Sequence, residues 1–152
     1  LRRETARMVR LRLDALLAAD PRLPIVLAGD FNSEAVSPSV DPEAPLLLQG
    51  ESPGAIPVSE SLSGSVAGGL FFSPWELAPG EGSYYYRDRW ERIDAFYLSP
   101  VLAAPGGPRF ESFAVHPWRE LRHSDGTPLR WITDLESGYS DHLPILLVIA
   151  NE

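Results

Sequence analysis

The chain has 152 residues, 44% hydrophobic and 22% charged, a composition typical of one globular domain with a single core. It has no cysteine, which excludes disulfides and thiolate metal sites, and its 15 prolines and 12 glycines predict long loops. A net charge of −8 argues against a broad basic surface for nucleic acid, but it does not exclude an enzyme that meets phosphate through a divalent cation. No apolar run reaches the length of a membrane span, so no transmembrane segment is predicted, and nothing indicates the cellular compartment.

The chain opens with a helix pattern followed by a strand pattern. Apolar side chains recur at steps of three and four over residues 1–19, which predicts an amphipathic helix that Asp20-Pro21 ends. The unbroken apolar run from Pro24 to Ala28 is typical of a strand covered on both faces, and residues 30–33 form a polar turn after it. Helix, buried strand and turn together indicate a layered α/β domain.

The middle of the chain contains a long loop and a predicted hairpin. The stretch from Ser37 to Gly69 is rich in Ser, Pro, Gly and Ala and is interpreted as an elaborate loop with one short helix starting at Asp41. Beyond it, Gly82 to Tyr86 and Ile93 to Leu98 flank the sequence RDRWE, which predicts two aromatic-rich strands joined as a hairpin.

Two further strands are predicted towards the end of the chain. Phe110 to Val115 has strand character, and Asp125 to Pro128 marks a turn. Ile145 to Ile149 is purely apolar and predicts a last, buried strand.

Unusual polar residues fall at the ends of these strands. Asp30 and Asn32 follow the first strand, Asp94 lies inside the strand-like run RIDAFYL, and Asp141 and His142 precede the last strand. In a layered α/β domain such strand ends converge on the crevice where ligands bind. Alternatively, the GDFN sequence at residues 29–32 forms an ordinary turn without a functional role, since Gly, Asp and Asn are common turn residues.

Asp94 is the residue that most needs a partner. By strand alternation it shares a face with Phe96 and Leu98, so its carboxylate is expected to point into a covered layer, where His142 is the natural partner. A carboxylate on one ring nitrogen fixes the tautomer and leaves the other nitrogen for a substrate. The alternative is a structural Asp held by backbone donors. Asp141 and His142 are adjacent and point apart, so Ser140-Asp141-His142 is not a hydrolase triad.

The sequence gives less support for a functional role of the other aromatic and histidine side chains. The aromatic group Tyr84 to Tyr86 with Trp90 is expected either to pack the hairpin or to stack bases or sugars. His116 and His123 are interpreted as surface or loop histidines.

The motifs LAGDFN, WERIDAFYLS and GYSDHLPI, in this order, resemble the endonuclease/exonuclease/phosphatase superfamily, which includes relatives of DNase I and sphingomyelinases. The form GSYYYRDRWERIDAFYLS is most similar to bacterial members. The resemblance implies an α/β fold, part of a four-layer α/β sandwich with mixed sheets. It also implies hydrolysis of phosphate esters by in-line water attack with Mg²⁺, or with another divalent cation such as Mn²⁺ or Ca²⁺.

The resemblance also implies roles for individual residues. Asp30 would orient or deprotonate the attacking water, and Asn32 would hydrogen-bond the phosphate. Asp141 would be a metal ligand, His142 would contact the scissile phosphate, and Asp94 would orient His142. Whether Asp30 or His142 takes the proton from water stays open.

The resemblance places residues 1–152 in the second half of the family's domain. In the family, a metal-binding Glu and an Asn on an early strand come before the segment matched here, so this chain alone is expected to be inactive. Sheet faces left uncovered predict association with the missing first half of the domain, with another chain, or with itself.

The sequence is consistent with three hypotheses about function. The substrate of a phosphoesterase could be nucleic acid, or it could be a lipid, inositol or other sugar phosphate, which the acidic composition mildly favours. The third hypothesis is a non-catalytic interaction module that keeps the scaffold without the activity.

Overall fold

The computed structural model describes residues 2–32, 71–76, 80–116 and 118–151. These residues form one α-helix and six β-strands, a mixed α/β content, together with short 3-10 turns. The strands pair into three two-stranded ladders, β1 with β4, β2 with β3 and β5 with β6. In chain order the elements are α1 Arg2–Ala19, β1 Val26–Asp30, β2 Tyr84–Tyr86, β3 Arg89–Glu91, β4 Asp94–Leu98, β5 Arg109–Val115 and β6 Ile145–Ala150.

The predicted amphipathic helix is confirmed as α1. Its apolar stripe reaches the core through Leu13, which is buried, while Arg10 and Asp14 form a 2.8 Å ion pair one turn apart on the helix. The helix ends at Ala19, and Asp20 lies outside it, as the steric restriction on a residue preceding Pro21 requires.

Strand β1 differs from the prediction in position and burial. It begins at Val26 and extends to Asp30, so the first polar site residue belongs to the strand and not to the turn after it. The prediction that Pro24 to Ala28 is covered on both faces is wrong for the described structure, because only Leu27 of the strand is half-buried and Val26 is 43% exposed. Within the described residues, packing covers one face of β1 alone.

The prediction for the aromatic hairpin is wrong in its second strand. Strand β2 turns back onto β3, which lies inside the RDRWE segment, and Ile93 to Leu98 instead supplies β4, the partner of β1. The turn consists of Arg87 and Asp88, with φ of 47° and 62°. A two-residue turn of this kind needs positive φ at both positions, and Asn-Gly is the usual sequence signal for it. The sequence Arg-Asp therefore does not predict a hairpin turn.

The predicted strand at Phe110 to Val115 is confirmed as β5, and the last strand is confirmed as β6. Strand β6 is less buried than predicted, because Leu146 on its outer face is 48% exposed and its other residues are only half-buried. The turn at Asp125 is confirmed: its carboxylate accepts hydrogen bonds from the backbone N–H and the hydroxyl of Thr127.

The core lies where α1, the β1–β4 ladder and the β5–β6 ladder meet. Leu13 of α1 shares one buried cluster with Tyr97 of β4 and Phe113 of β5. On the other face of β4, Leu98 belongs to a second cluster that Leu147 of β6 packs against. Burial raises the pKa of Tyr97 to about 12.

Every ladder in the described part of the chain is antiparallel, whereas mixed sheets were predicted. The two-residue turn between β2 and β3 permits only antiparallel pairing, and the parallel neighbours that a mixed sheet needs do not occur among the described strands. The predicted loop from Ser37 to Gly69 and its helix at Asp41 lie outside the described residues. Among the helices that the structure describes, none is both long and apolar enough to cross a membrane.

Candidate active site

Asp94 and His142 form the centre of the candidate site. Asp94 begins β4, and its Oδ2 lies 2.7 Å from Nδ1 of His142. The His142 backbone is placed by an antiparallel bridge to Tyr84 and by the N–H of Leu143, which donates to the carbonyl of Ser83. The predicted partnership of these two side chains is therefore confirmed in the structure. The ring nitrogen that Asp94 does not use is Nε2.

Ser83 is a member of the site that the sequence did not reveal. It is fully buried, and its hydroxyl donates to the same Oδ2 of Asp94 at 2.6 Å. This oxygen thus contacts both the Ser83 hydroxyl and the His142 ring. Trp75 fixes the backbone beside it, since its indole N–H donates to the Asp94 carbonyl at 2.7 Å.

Asp30 lies opposite Asp94 in the β1–β4 ladder. Directly paired residues of an antiparallel ladder share a face, with Cβ atoms about 4.5–5.5 Å apart. One Asp30 oxygen accepts the backbone N–H of Asn32 at 2.8 Å, and the other accepts its side-chain amide at 3.1 Å. Asn32 adopts a left-handed φ of 48°, which Asn tolerates better than most residues and which turns the chain sharply after the strand.

The structure brings together three residues that could hold a metal. Ligand atoms of Asp30, Asp94 and His142 all lie within 4.8 Å of one another. Two carboxylates placed directly opposite in a ladder repel each other, and a divalent cation between them would remove that repulsion. The carboxylate oxygens suit Mg²⁺, Mn²⁺ or Ca²⁺, whereas His142 contributes a ring nitrogen that Mg²⁺ and Ca²⁺ seldom use.

Asp141 lies outside this cluster of possible ligands. Its carboxylate accepts a 2.8 Å hydrogen bond from the guanidinium of Arg130, which holds the pKa of Asp141 below its usual range. The adjacent side chains of Asp141 and His142 thus have different partners, as their opposite directions predicted. A metal at Asp141 would have to compete with Arg130.

The approach of the Arg130 segment to the site depends on a glycine. Gly138 has a φ of 98°, and a Cβ at this position would lie 2.1 Å from the Arg130 carbonyl oxygen. Nearby, the Ser140 hydroxyl accepts the His142 backbone N–H at 3.0 Å. Ser140 therefore shapes the turn that presents His142 and, as predicted, does not form a nucleophile triad with it.

The aromatic residues of the hairpin divide between its two faces. Tyr85 packs edge-on against Trp90, with ring centroids 5.2 Å apart. On the other face, Tyr84 lies 4.6 Å from the His142 ring and 6.0 Å from the ring of Tyr86. One pair thus serves hairpin packing, and the other borders the site.

The other two histidines lie outside the cluster of possible metal ligands. His123 is exposed in a turn, as predicted. His116 is half-buried beside Trp118, and its Nδ1 has no hydrogen-bond partner among the described residues.

No protein-family model, curated protein or solved structure matches this chain significantly. The function is therefore inferred from the chemistry of the side chains that the fold brings together.

Proposed function

We propose that this chain carries catalytic groups of a metal-dependent phosphoesterase. The observation that supports the proposal best is the meeting of Asp30, Asp94 and His142, which come from three separate segments and place their ligand atoms within 4.8 Å of one another. Buried or paired polar groups gathered at strand ends are costly to maintain for structure alone.

The proposed chemistry assigns a distinct task to each side chain. Asp94 accepts from Nδ1–H of His142 and orients the ring, so that Nε2–H of the imidazolium form can donate to a phosphoryl oxygen. Asp30 orients or deprotonates the attacking water, and Asn32 hydrogen-bonds the phosphate. A divalent cation at the Asp30 carboxylate would supply Lewis-acid stabilisation of the charge that develops on phosphorus-bound oxygens.

The fold proposal goes beyond the mixed α/β content. We propose that the β1–β4 and β5–β6 ladders belong to a four-layer α/β sandwich. Support comes from β4, whose side chains enter one buried cluster with α1 and β5 and another with partly buried residues of β6.

Metal binding can be tested without any assay of hydrolysis. Titration of the ¹⁵N-labelled chain with Mn²⁺ should broaden the amide signals of Asp30, Asp94 and His142 first, because paramagnetic broadening falls steeply with distance. Asp30→Asn should weaken this effect, whereas Asp14→Asn, which alters an exposed helix pair, is the matched control. Broadening spread evenly over all acidic residues would contradict a defined site.

Hydrolysis is tested on the natural full-length protein with Mg²⁺ against plasmid DNA, RNA, sphingomyelin and inositol phosphates. Cleavage that is lost in His142→Gln and kept in His123→Gln supports the phosphoesterase. Metal binding without hydrolysis of any of these substrates would instead favour the non-catalytic interaction module.

A further inference from the structure

The candidate site continues outward as a row of rings on one face of the β2–β3 hairpin. His142, Tyr84 and Tyr86 follow one another, with ring centroids 4.6 and 6.0 Å apart. The two tyrosine rings are nearly parallel, at 13°. We call these three side chains the ring row.

The outer end of the ring row faces solvent. Tyr86 is 44% exposed and belongs to neither buried core cluster of the described structure. Tyr85 and Trp90 on the opposite face of the hairpin make their own contact, so hairpin packing does not explain why Tyr86 is aromatic.

Two cationic groups border the outer end of the ring row. The Arg87 guanidinium lies 5.1 Å from the centroid of the Tyr86 ring, and Arg89 pairs with Tyr86 in the ladder and so shares its face. At the inner end, the Arg130 guanidinium hydrogen-bonds Asp141, the residue before His142. Glu91 pairs with Tyr84 in the ladder and shares its face, so the positive charge lies at the outer end of the ring row.

We propose that the ring row is a subsite for unpaired bases, and that the substrate of the phosphoesterase is single-stranded nucleic acid. The inference rests on the proposed function, since it places the bases beside the phosphate that His142 would contact. Flat aromatic faces bind any base by stacking, and guanidinium groups beside them bind the neighbouring phosphates. A lipid headgroup offers the phosphate but no ring to stack on the tyrosines.

Binding in EDTA, where no metal-dependent hydrolysis can occur, tests this subsite. The probes are a fluorescein-labelled oligothymidylate of about twelve nucleotides and an abasic strand of equal length and charge, followed by fluorescence anisotropy. The wild-type protein should bind the thymidylate about ten-fold more tightly than the abasic strand, because stacking contributes to only one of them.

Variants separate stacking from charge. Tyr86→Ala should bring the ratio of the two affinities close to one, whereas Tyr86→Phe, which keeps the ring, should preserve it. Arg89→Gln should weaken both strands alike and leave the ratio unchanged. Trp118→Ala removes an aromatic side chain that is 55% exposed outside the ring row and should change neither affinity.

Some results would overturn the subsite while sparing the phosphoesterase. Equal affinity of the wild type for both strands, an unchanged ratio in Tyr86→Ala, or binding to phosphatidylserine vesicles but to neither strand would each reject it. Base-dependent binding that disappears in Tyr86→Ala supports the subsite even if no ester is hydrolysed, which would count against the proposed function alone. Far-UV circular dichroism of each variant checks that the fold is kept.

Discussion

Asp94 and His142 are separated by 48 positions in the chain and are joined by a 2.7 Å hydrogen bond. Asp94 belongs to the β1–β4 ladder, while His142 lies in the segment that leads into β6. The bond therefore connects two parts of the core and fixes the imidazole at the same time, with side chains only 17% and 28% exposed.

Asp94→Asn tests whether Asp94 orients the His142 imidazole, because the variant keeps the ring and removes its ionised acceptor. An amide can keep the shape of the side chain but cannot act as an ionised acceptor for Nδ1–H, so the His142 tautomer is no longer fixed. We expect kcat of the proposed phosphoesterase to fall about 10²–10⁴-fold with little change in KM. Steady-state kinetics measure this, and Asp14→Asn is the control. A KM effect without a kcat effect would contradict the orienting role.

Ser83→Ala should lower stability as well as activity. The mutation removes a 2.6 Å hydrogen bond to a carboxylate in a fully buried position. Loss of a hydrogen bond to a charged group costs about 1.5–3 kcal/mol, measured as the free energy of unfolding in urea. Ser112→Ala, at an exposed position of β5, is the control. Equal stability of the two variants would show that Asp94 has another donor.

Arg130→Ala tests whether Asp141 is a metal ligand. If it is, removing the guanidinium that occupies its carboxylate should lower the Mg²⁺ concentration for half-maximal activity a few-fold, because an exposed ion pair is only weakly stabilising. The pair is well exposed, at 61% and 40%. An unchanged Mg²⁺ dependence would assign Asp141 to Arg130 alone.

Tyr97 should make the fold sensitive to alkali. Its pKa is raised from 10.0 to about 12, so the folded state favours the neutral phenol more than the unfolded state does. The resulting stability is fully present below about pH 10 and is lost as pH rises through about 12, an effect of roughly 2–3 kcal/mol. Urea unfolding at several pH values measures it. Tyr97→Phe should flatten this dependence, and an equally steep loss in that variant would assign the effect to other groups.

Much of the local structure followed from the sequence pattern. The spacing of apolar residues predicted α1, and the apolar and aromatic runs predicted strands where β4, β5 and β6 lie. Alternation along β4 predicted that Asp94 points inward and meets His142, which is correct because period-two geometry leaves a strand residue only two directions.

The parts that could not be predicted depend on contacts between distant residues or on rare backbone angles. The Arg87-Asp88 turn uses positive φ without Gly or Asn, so the hairpin partner was misassigned. Ser83 contacts Asp94 only after β2 has been placed beside the His142 segment. A serine preceded by Gly82, whose Cβ would lie 2.4 Å from the Glu91 carbonyl oxygen, was the one available clue to close packing there.

Because Asp94 and His142 are hydrogen-bonded across the core, the geometry of the candidate site depends on how firmly the β1–β4 and β5–β6 ladders pack together. Displacement of catalytic groups by about 1 Å can cost about a hundred-fold in rate, whereas each ladder keeps its own backbone hydrogen bonds through such a shift. Slight loosening between the ladders would therefore abolish the proposed activity while helix and strands remain intact. On warming, the loss of the proposed activity should precede the loss of secondary structure.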